Sequence, residues 1–293
     1  MNFSINTYSK SLANFLEKKN DENEDFIEEL KSSDELFFSW ALCDGAGGVG
    51  VFCKEWAEFL AKNIPNNPAE FGKNTRKWFE DTSSNFHDGI ILKSDLTDLI
   101  LNRKVYQDGS YSTLTACWFD KMANEFYYTS VGDSCVFFFE ETINGIELKL
   151  LSSINDQDEI DSYPNLLNWN DELRNELPFD SFEMVNSFIC VMASDSLAKW
   201  ILLNIAIIDF SLLVDLGLNQ NFLKSLNNQN LEFKKSQIKM NHDFKTIKNL
   251  LIYLKLIANN EDEYLKNMKL LHTNKEIEID DYSLIYIEGN VSI

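Results

Sequence analysis

Four β-rich runs follow one another along one part of the chain: "STLTACWF" (112–119), "EFYYTSV" (125–131), "SCVFFFE" (134–140) and "IELKLL" (146–151). The polar turns between them, such as "DKMAN" and "TING", are a few residues long. Turns that short join antiparallel neighbours, because parallel strands need a crossover of about a dozen residues or more. The pattern predicts an antiparallel meander. Upstream, "ELFFSWALC" (35–43) is apolar on both alternating faces, as expected of a strand covered on both sides. It runs through a glycine turn into "VFCKEWAEFLAKNI", which carries Phe52, Trp56, Phe59, Leu60 and Ile64 at helical spacing. Downstream, "SFICVMAS" (187–194) is a second buried strand leading into the helical "SLAKWILLNIAII". The stretch 207–270 is mostly helical in character, and "SLIYIE" (283–288) is a closing strand. Strands come in groups and do not alternate strictly with helices, so the expected class is a layered α+β fold.

A chain of 293 residues that is 44% hydrophobic has material for one large core or two modest ones. It shows no Gly/Ser linker, repeat or low-complexity tract, which favours a single domain over 1–293. No window reaches the ~18 uninterrupted apolar residues that span a bilayer, and the first residues lack a basic start followed by an apolar stretch. No membrane association is expected. The five cysteines form no C-x-x-C pair, so zinc is not expected and a reducing, cytoplasmic setting is. With 47 acidic against 26 basic residues, the charge of -21 argues against nucleic acid as a partner and suits hard divalent cations.

The run "CDGAGGVG" (43–50), read from Gly45, spells G-x-G-x-x-G. A dinucleotide fingerprint needs a βαβ unit with an acid at the end of its second strand. Residues 65–75 hold no strand, and Asp44 would set a carboxylate at the entrance of the phosphate site. A tight Asp-Gly turn is the simpler reading of the pair. What distinguishes Asp44 is the company it keeps. Asp133 lies in "SVGDSC" between two strand-like runs, Asp195 ends "SFICVMAS", and Asp280 and Asp281 precede "SLIYIE". Acids gathered at strand ends repel one another unless cations bridge them, so one metal-binding rim is expected, beside the alternative that the acids cap turns.

In order along the chain, "NEDF" (23–26), "CDGAGG" (43–48), "STLTA" (112–116), "VGDS" (131–134), "MASDS" (192–196) and "DDYSLIYI" (280–287) resemble the motifs of the type 2C metal-dependent serine/threonine protein phosphatases. "ASDSLAKWIL" is similar to a bacterial subset of that family. The resemblance implies a four-layer α-β-β-α sandwich, two antiparallel sheets flanked by helices, with the flap and substrate-contacting elements in the variable stretches 152–186 and 207–270. It implies two Mn²⁺ or Mg²⁺ ions that activate water for in-line hydrolysis of a phosphomonoester. By motif position, Asp44 would bridge both ions and the Gly45 carbonyl would complete a shell. Glu24 or Asp25 would serve one ion, Asp195 and Asp280 the other, and Asp133 with Asp195 a third, weaker site. The implied substrate is a phosphoprotein and the implied partner a cognate serine/threonine kinase.

Two departures from the family pattern bear on activity. Asn20 stands where the family has a phosphate-binding arginine, leaving Lys19 or Arg103 as candidate substitutes, although a lysine cannot copy a bidentate guanidinium. Ala46 stands where some relatives carry a histidine. A regulatory pseudophosphatase that binds without turnover is therefore the alternative. Ser112 and Thr113 are expected to pack and hydrogen-bond, and His87, His242 and His272 to lie on the surface.

Overall fold

The computed structural model describes residues 2–16, 22–31, 36–46, 50–94, 97–143, 145–152, 165–216 and 244–292. The predicted Lys19, Gly47 and Gly48 with Val49, His242 and the parts 153–164 and 217–243 of the variable stretches lie outside the described residues. In chain order the strands are β1 (Asn2–Leu12), β2 (Phe26–Lys31), β3 (Phe37–Cys43), β4 (Tyr111–Ser112), β5 (Leu114–Asp120), β6 (Glu125–Val131), β7 (Cys135–Thr142), β8 (Gly145–Leu151), β9 (Leu167–Asn168), β10 (Asp180–Glu183), β11 (Phe188–Ala193) and β12 (Tyr282–Ser292). The helices are α1 (Cys53–Lys62), α2 (Pro68–Gly72), α3 (Thr75–Gly89), α4 (Leu99–Gln107), α5 (Asp195–Ile208), α6 (Ser211–Val214), α7 (Ile247–Asn259) and α8 (Glu261–Thr273). The chain is α+β, as expected. Its contacts group it into two compact units, Met1–Asp21 with Cys135–Pro164 and Asn186–Ile293, and Glu22–Ser134 with Asn165–Val185.

The unit built on Glu22–Ser134 holds a five-stranded sheet in the order β10-β6-β5-β3-β2, every pair antiparallel. Because side chains alternate along a strand, Ala41 and Cys43 of β3 and Leu114, Ala116 and Trp118 of β5 share one face. That face joins Trp56 and Leu60 of α1 and Phe79 and Phe86 of α3 in a single core. Trp56 is fully buried, and its Nε1 donates to the Leu167 carbonyl at 2.9 Å. Helices α3 and α4 start on side-chain caps, with Asn74 accepting from Lys77 N ahead of α3 and Asp98 from Ile100 N and Leu101 N ahead of α4.

The other unit holds a sheet in the order β1-β12-β11-β7-β8, again antiparallel throughout. Phe137, Phe139, Val191, Leu284 and Tyr286 meet Leu197, Trp200 and Ile201 of α5, Leu250 and Leu254 of α7 and Met268 of α8. The alternate residues of these strands, among them Phe138, Cys190, Met192 and Ile285, are buried as well. Glu276 is fully buried here. Its carboxylate accepts from Trp200 Nε1 and Asn274 Nδ2, both at 3.2 Å.

Three expectations change. The runs 112–151 form two hairpins in different sheets, β5–β6 and β7–β8, and not one meander. The break falls at Gly132–Ser134, where Gly132 takes φ +98° and the Ser134 carbonyl is captured by Thr115 Oγ1 at 3.0 Å. β1 and β2 were unforeseen, yet β1 pairs with β12 along its whole length. His87 and His272 are half-buried in ring contacts with Trp169 and Phe15, at centroid distances of 5.6 and 5.8 Å, and not simply on the surface. The five cysteines are free and buried, and all strand pairs in the two main sheets are antiparallel, so the glycine run opens no parallel βαβ unit among the described residues.

Removing the donor that faces a buried carboxylate leaves charge poorly compensated, so Trp200→Phe is expected to destabilise by about 1–3 kcal/mol. Urea unfolding read by circular dichroism checks this, with the exposed Lys77→Met as a control expected to change stability by less than about 0.5 kcal/mol.

Candidate metal centre

Asp44 follows the last residue of β3, where the strand's backbone groups must find partners outside the sheet. Thr113 supplies them twice. The Asp44 N–H donates to Thr113 Oγ1 at 2.9 Å, and the Thr113 N–H donates to the Asp44 carbonyl at 2.9 Å. Thr113 Oγ1 is in turn 3.0 Å from Ser134 Oγ. The hydroxyls of "STLTA" and "VGDS" thus hold the Asp44 backbone, which gives Thr113 a positioning role beyond strand packing. Gly132 belongs to the same construction, since a Cβ there would sit 2.6 Å from Thr113 Cγ2.

The acids of "NEDF" meet Asp44 through sheet register. β2 pairs with β3 so that Phe26 faces Cys43. Continued by one residue, that register sets Asp25 across from Asp44, and by two, Glu24 across from Gly45. The Gly45 N–H donates to the Glu24 carbonyl at 3.2 Å, which confirms the continuation. Asp25 is buried, at 5% exposure. Gly45 itself is enclosed by backbone, because an added Cβ would lie 2.8 Å from the Cys53 carbonyl oxygen and 2.9 Å from that of Glu24. Ala46 N donates to Tyr111 O at 3.0 Å, tying the turn to β4.

Two thiols lie against these acids. Burial pushes the Cys43 thiol far above its ordinary range, and the Asp44 and Asp25 carboxylates push it further. Burial raises Cys53 to about 11, with Glu24 adding to the effect. Both stay protonated at neutral pH in the metal-free chain, so neither is an activated nucleophile there.

The second group of acids belongs to β11, β12 and α5. These two strands are antiparallel neighbours with Ala193 facing Leu284, so the end of β11 and the start of β12 share one sheet edge. Asp195 opens α5, where the positive end of the helix favours an anion. Burial alone would raise its carboxyl, but the Lys199 ammonium, a hydrogen bond with Asp280 and the Ser196 N–H hold it below the usual carboxylate range. Lys199 Nζ is 2.9 Å from Asp195 Oδ2. Asp281 is buried and works differently: its Oδ1 accepts from Asn14 N at 2.8 Å, which fastens the chain just past β1.

The structure therefore brings together Glu24, Asp25, Asp44 and Gly45 in one group, and Asp195 and Asp280 in another. Asp133 lies in the Gly132–Ser134 turn. Among the described residues no three histidine, cysteine or acidic side chains converge as a ready-made ion cage. Arg103 is exposed on α4, where its Nε donates to Gln107 Oε1 at 2.7 Å. Lys199 was missed from the sequence, although its place four residues after Asp195 on a helix was a usable signal.

The donor set fits a hard divalent ion. Carboxylates of Asp25 and Asp44 are placed across from each other, the Gly45 backbone admits no side chain, and Asp195 and Asp280 lie within hydrogen-bond reach of one another.

No protein-family model matches the sequence, and no curated protein sequence does. Solved structures match in fold. The catalytic domain of serine threonine protein phosphatase PstP in complex with two manganese ions superposes at a TM-score of 0.53, with 11% identity over 99% of this chain and 100% of that one. A bacterial serine phosphatase superposes at 0.51, with 12% identity over 99% of this chain and 100% of that one. The chain has the fold of these phosphatases, the fold that its motif order led us to expect.

Because the atoms that crowd Gly45 are backbone, an added methyl can be accommodated only by moving β2 or the start of α1. Gly45→Ala is expected to destabilise by about 1–3 kcal/mol, as overpacking does. A thermal melt unchanged within error would contradict the close approach described here.

Proposed function

We propose that the chain is a Mn²⁺- or Mg²⁺-dependent protein serine/threonine phosphatase. The observation that carries this reading is the Asp25–Asp44–Gly45 arrangement, an Asp-Gly turn at a strand end faced by the buried Asp25, in a chain with the fold of a serine/threonine protein phosphatase. Asp44 would hold both ions, with Glu24 or Asp25 and the Gly45 carbonyl on one and Asp195 and Asp280 on the other. Asp133 and Asp195 would take a third. Bound there, the ions supply positive charge and an activated water for in-line hydrolysis of a phosphomonoester.

The chain's own contribution is to hold its acids in place. Thr113 clamps the Asp44 backbone from both sides, so the carboxylate leaves a fixed point. Asp25 directly precedes β2, whose register with β3 sets it across from Asp44. Concentrated carboxylates repel a phosphate, so substrate approach depends on cations that offset them, and oxygen coordination of Mn²⁺ or Mg²⁺ suits that demand. The expected substrate is a phosphoprotein whose phosphate was placed by a serine/threonine kinase. Lys19 or Arg103 would steady that phosphate in place of the missing arginine. No helix among the described residues is long and apolar enough to cross a membrane.

A second reading is a binding module without turnover. It is favoured by Arg103, whose guanidinium nitrogen is engaged by Gln107 on its own helix.

Hydrolysis of an aryl phosphate and of a phosphothreonine peptide, with and without Mn²⁺, tests the first reading. Wild type should turn over only with the ion. Asp44→Asn and Asp195→Asn should each lower kcat by about 100-fold or more, as removal of a principal electrostatic contributor does. Activity that ignores Mn²⁺, or that survives both substitutions, would sink the phosphatase mechanism. Mn²⁺ binding with no turnover in wild type would support the binding module.

A further inference from the structure

Asp195 already has a cation. Lys199 lies one helical turn along α5, and its Nζ sits 2.9 Å from Asp195 Oδ2 and 3.5 Å from Glu278 Oε2. The two side chains are largely shielded, with 17% of Lys199 and 15% of Asp195 exposed. Ion pairs at open surfaces contribute little, but shielding from water strengthens both attraction and repulsion. The point on α5 from which the lysine leaves is also fixed. Its neighbours Ser196, Leu197, Ala198, Trp200 and Ile201 are all buried, and Trp200 is bonded to Glu276, so the rotation of α5 about its axis is fixed by packing.

We propose that Lys199 is a resident counter-cation of Asp195, which compensates this carboxylate in the metal-free chain and weakens the divalent ion's hold on it. The inference rests on the reading of Asp195 as a metal ligand. Of the two carboxylates that meet the ammonium, Asp195 and Glu278, one charge is cancelled by Lys199 before any ion arrives. A divalent ion bound to Asp195 would lie only a few ångströms from that ammonium and would be repelled by it. Lys199 acts through Asp195 and is a positioning residue. Its consequence is an acidic edge that is stable without metal and responsive to metal concentration.

Removing the ammonium while keeping the aliphatic stem separates this from a purely structural role. Mn²⁺ titration by calorimetry should show Lys199→Met binding about tenfold more tightly than wild type, and Lys199→Arg within about threefold of it. Melting of the metal-free chain should fall in Lys199→Met, and saturating Mn²⁺ should raise it by more than in wild type. A structural strut would give the reverse pattern, weaker binding and a loss of stability in both forms. Lys199→Gln provides a second neutral variant, and neutral variants that fail to fold even with Mn²⁺ present would overturn the proposal. If wild type binds no Mn²⁺, or Asp195→Asn leaves its titration unchanged, the metal-site reading fails and takes this inference with it. If wild type binds through Asp195 but Lys199→Met binds no more tightly, the inference alone fails.

Discussion

The paired hydrogen bonds between Asp44 and Thr113 are the interaction on which the proposed site depends. A buried strand that stops must satisfy its last N–H and C=O groups, and leaving either unpaired costs about as much as losing a hydrogen bond. β3 meets this demand with one residue whose hydroxyl and amide both serve Asp44. The Asp44 backbone is thereby held at a fixed point at the end of β3. Gly45 completes the device, because the Cys53 and Glu24 carbonyls approach too closely for any larger residue.

Much of this was legible before the structure. Cys43–Asp44–Gly45 at a strand end, Asp195 at the start of a helix and Asp280 ahead of β12 were all visible, because apolar runs mark buried strands and acids interrupt them sharply. The strands and helices with strong apolar periodicity, such as β6, β11 and α5, appeared close to where they were expected. β1 was hidden because "NFSINTYSKSL" is rich in Ser, Asn and Thr, and it lies at the sheet edge where one side needs no partner. β2 shows no strand signal in the sequence, since Glu28, Glu29 and Lys31 break its apolar pattern.

The other losses have a common cause. Whether two adjacent hairpins belong to one sheet or two depends on a single turn, and here Gly132 with φ +98° and the capture of Ser134 by Thr115 decide it. Local sequence shows that a turn exists but not which sheet the next strand enters. Likewise, the contact of Lys199 with Asp195 follows from helix spacing, whereas its shielding from water follows from the packing of α5 as a whole. Charge near an acid can be guessed from sequence. How strongly it acts is a property of the tertiary structure.

Crystals of the wild-type chain grown with Mn²⁺ and measured at the manganese absorption edge would test the central claim most directly. The account predicts anomalous peaks on the Asp44–Gly45 turn with the Glu24–Asp25 pair and on Asp195 with Asp280. Peaks confined to other carboxylates, or no peak on Asp44, would contradict it.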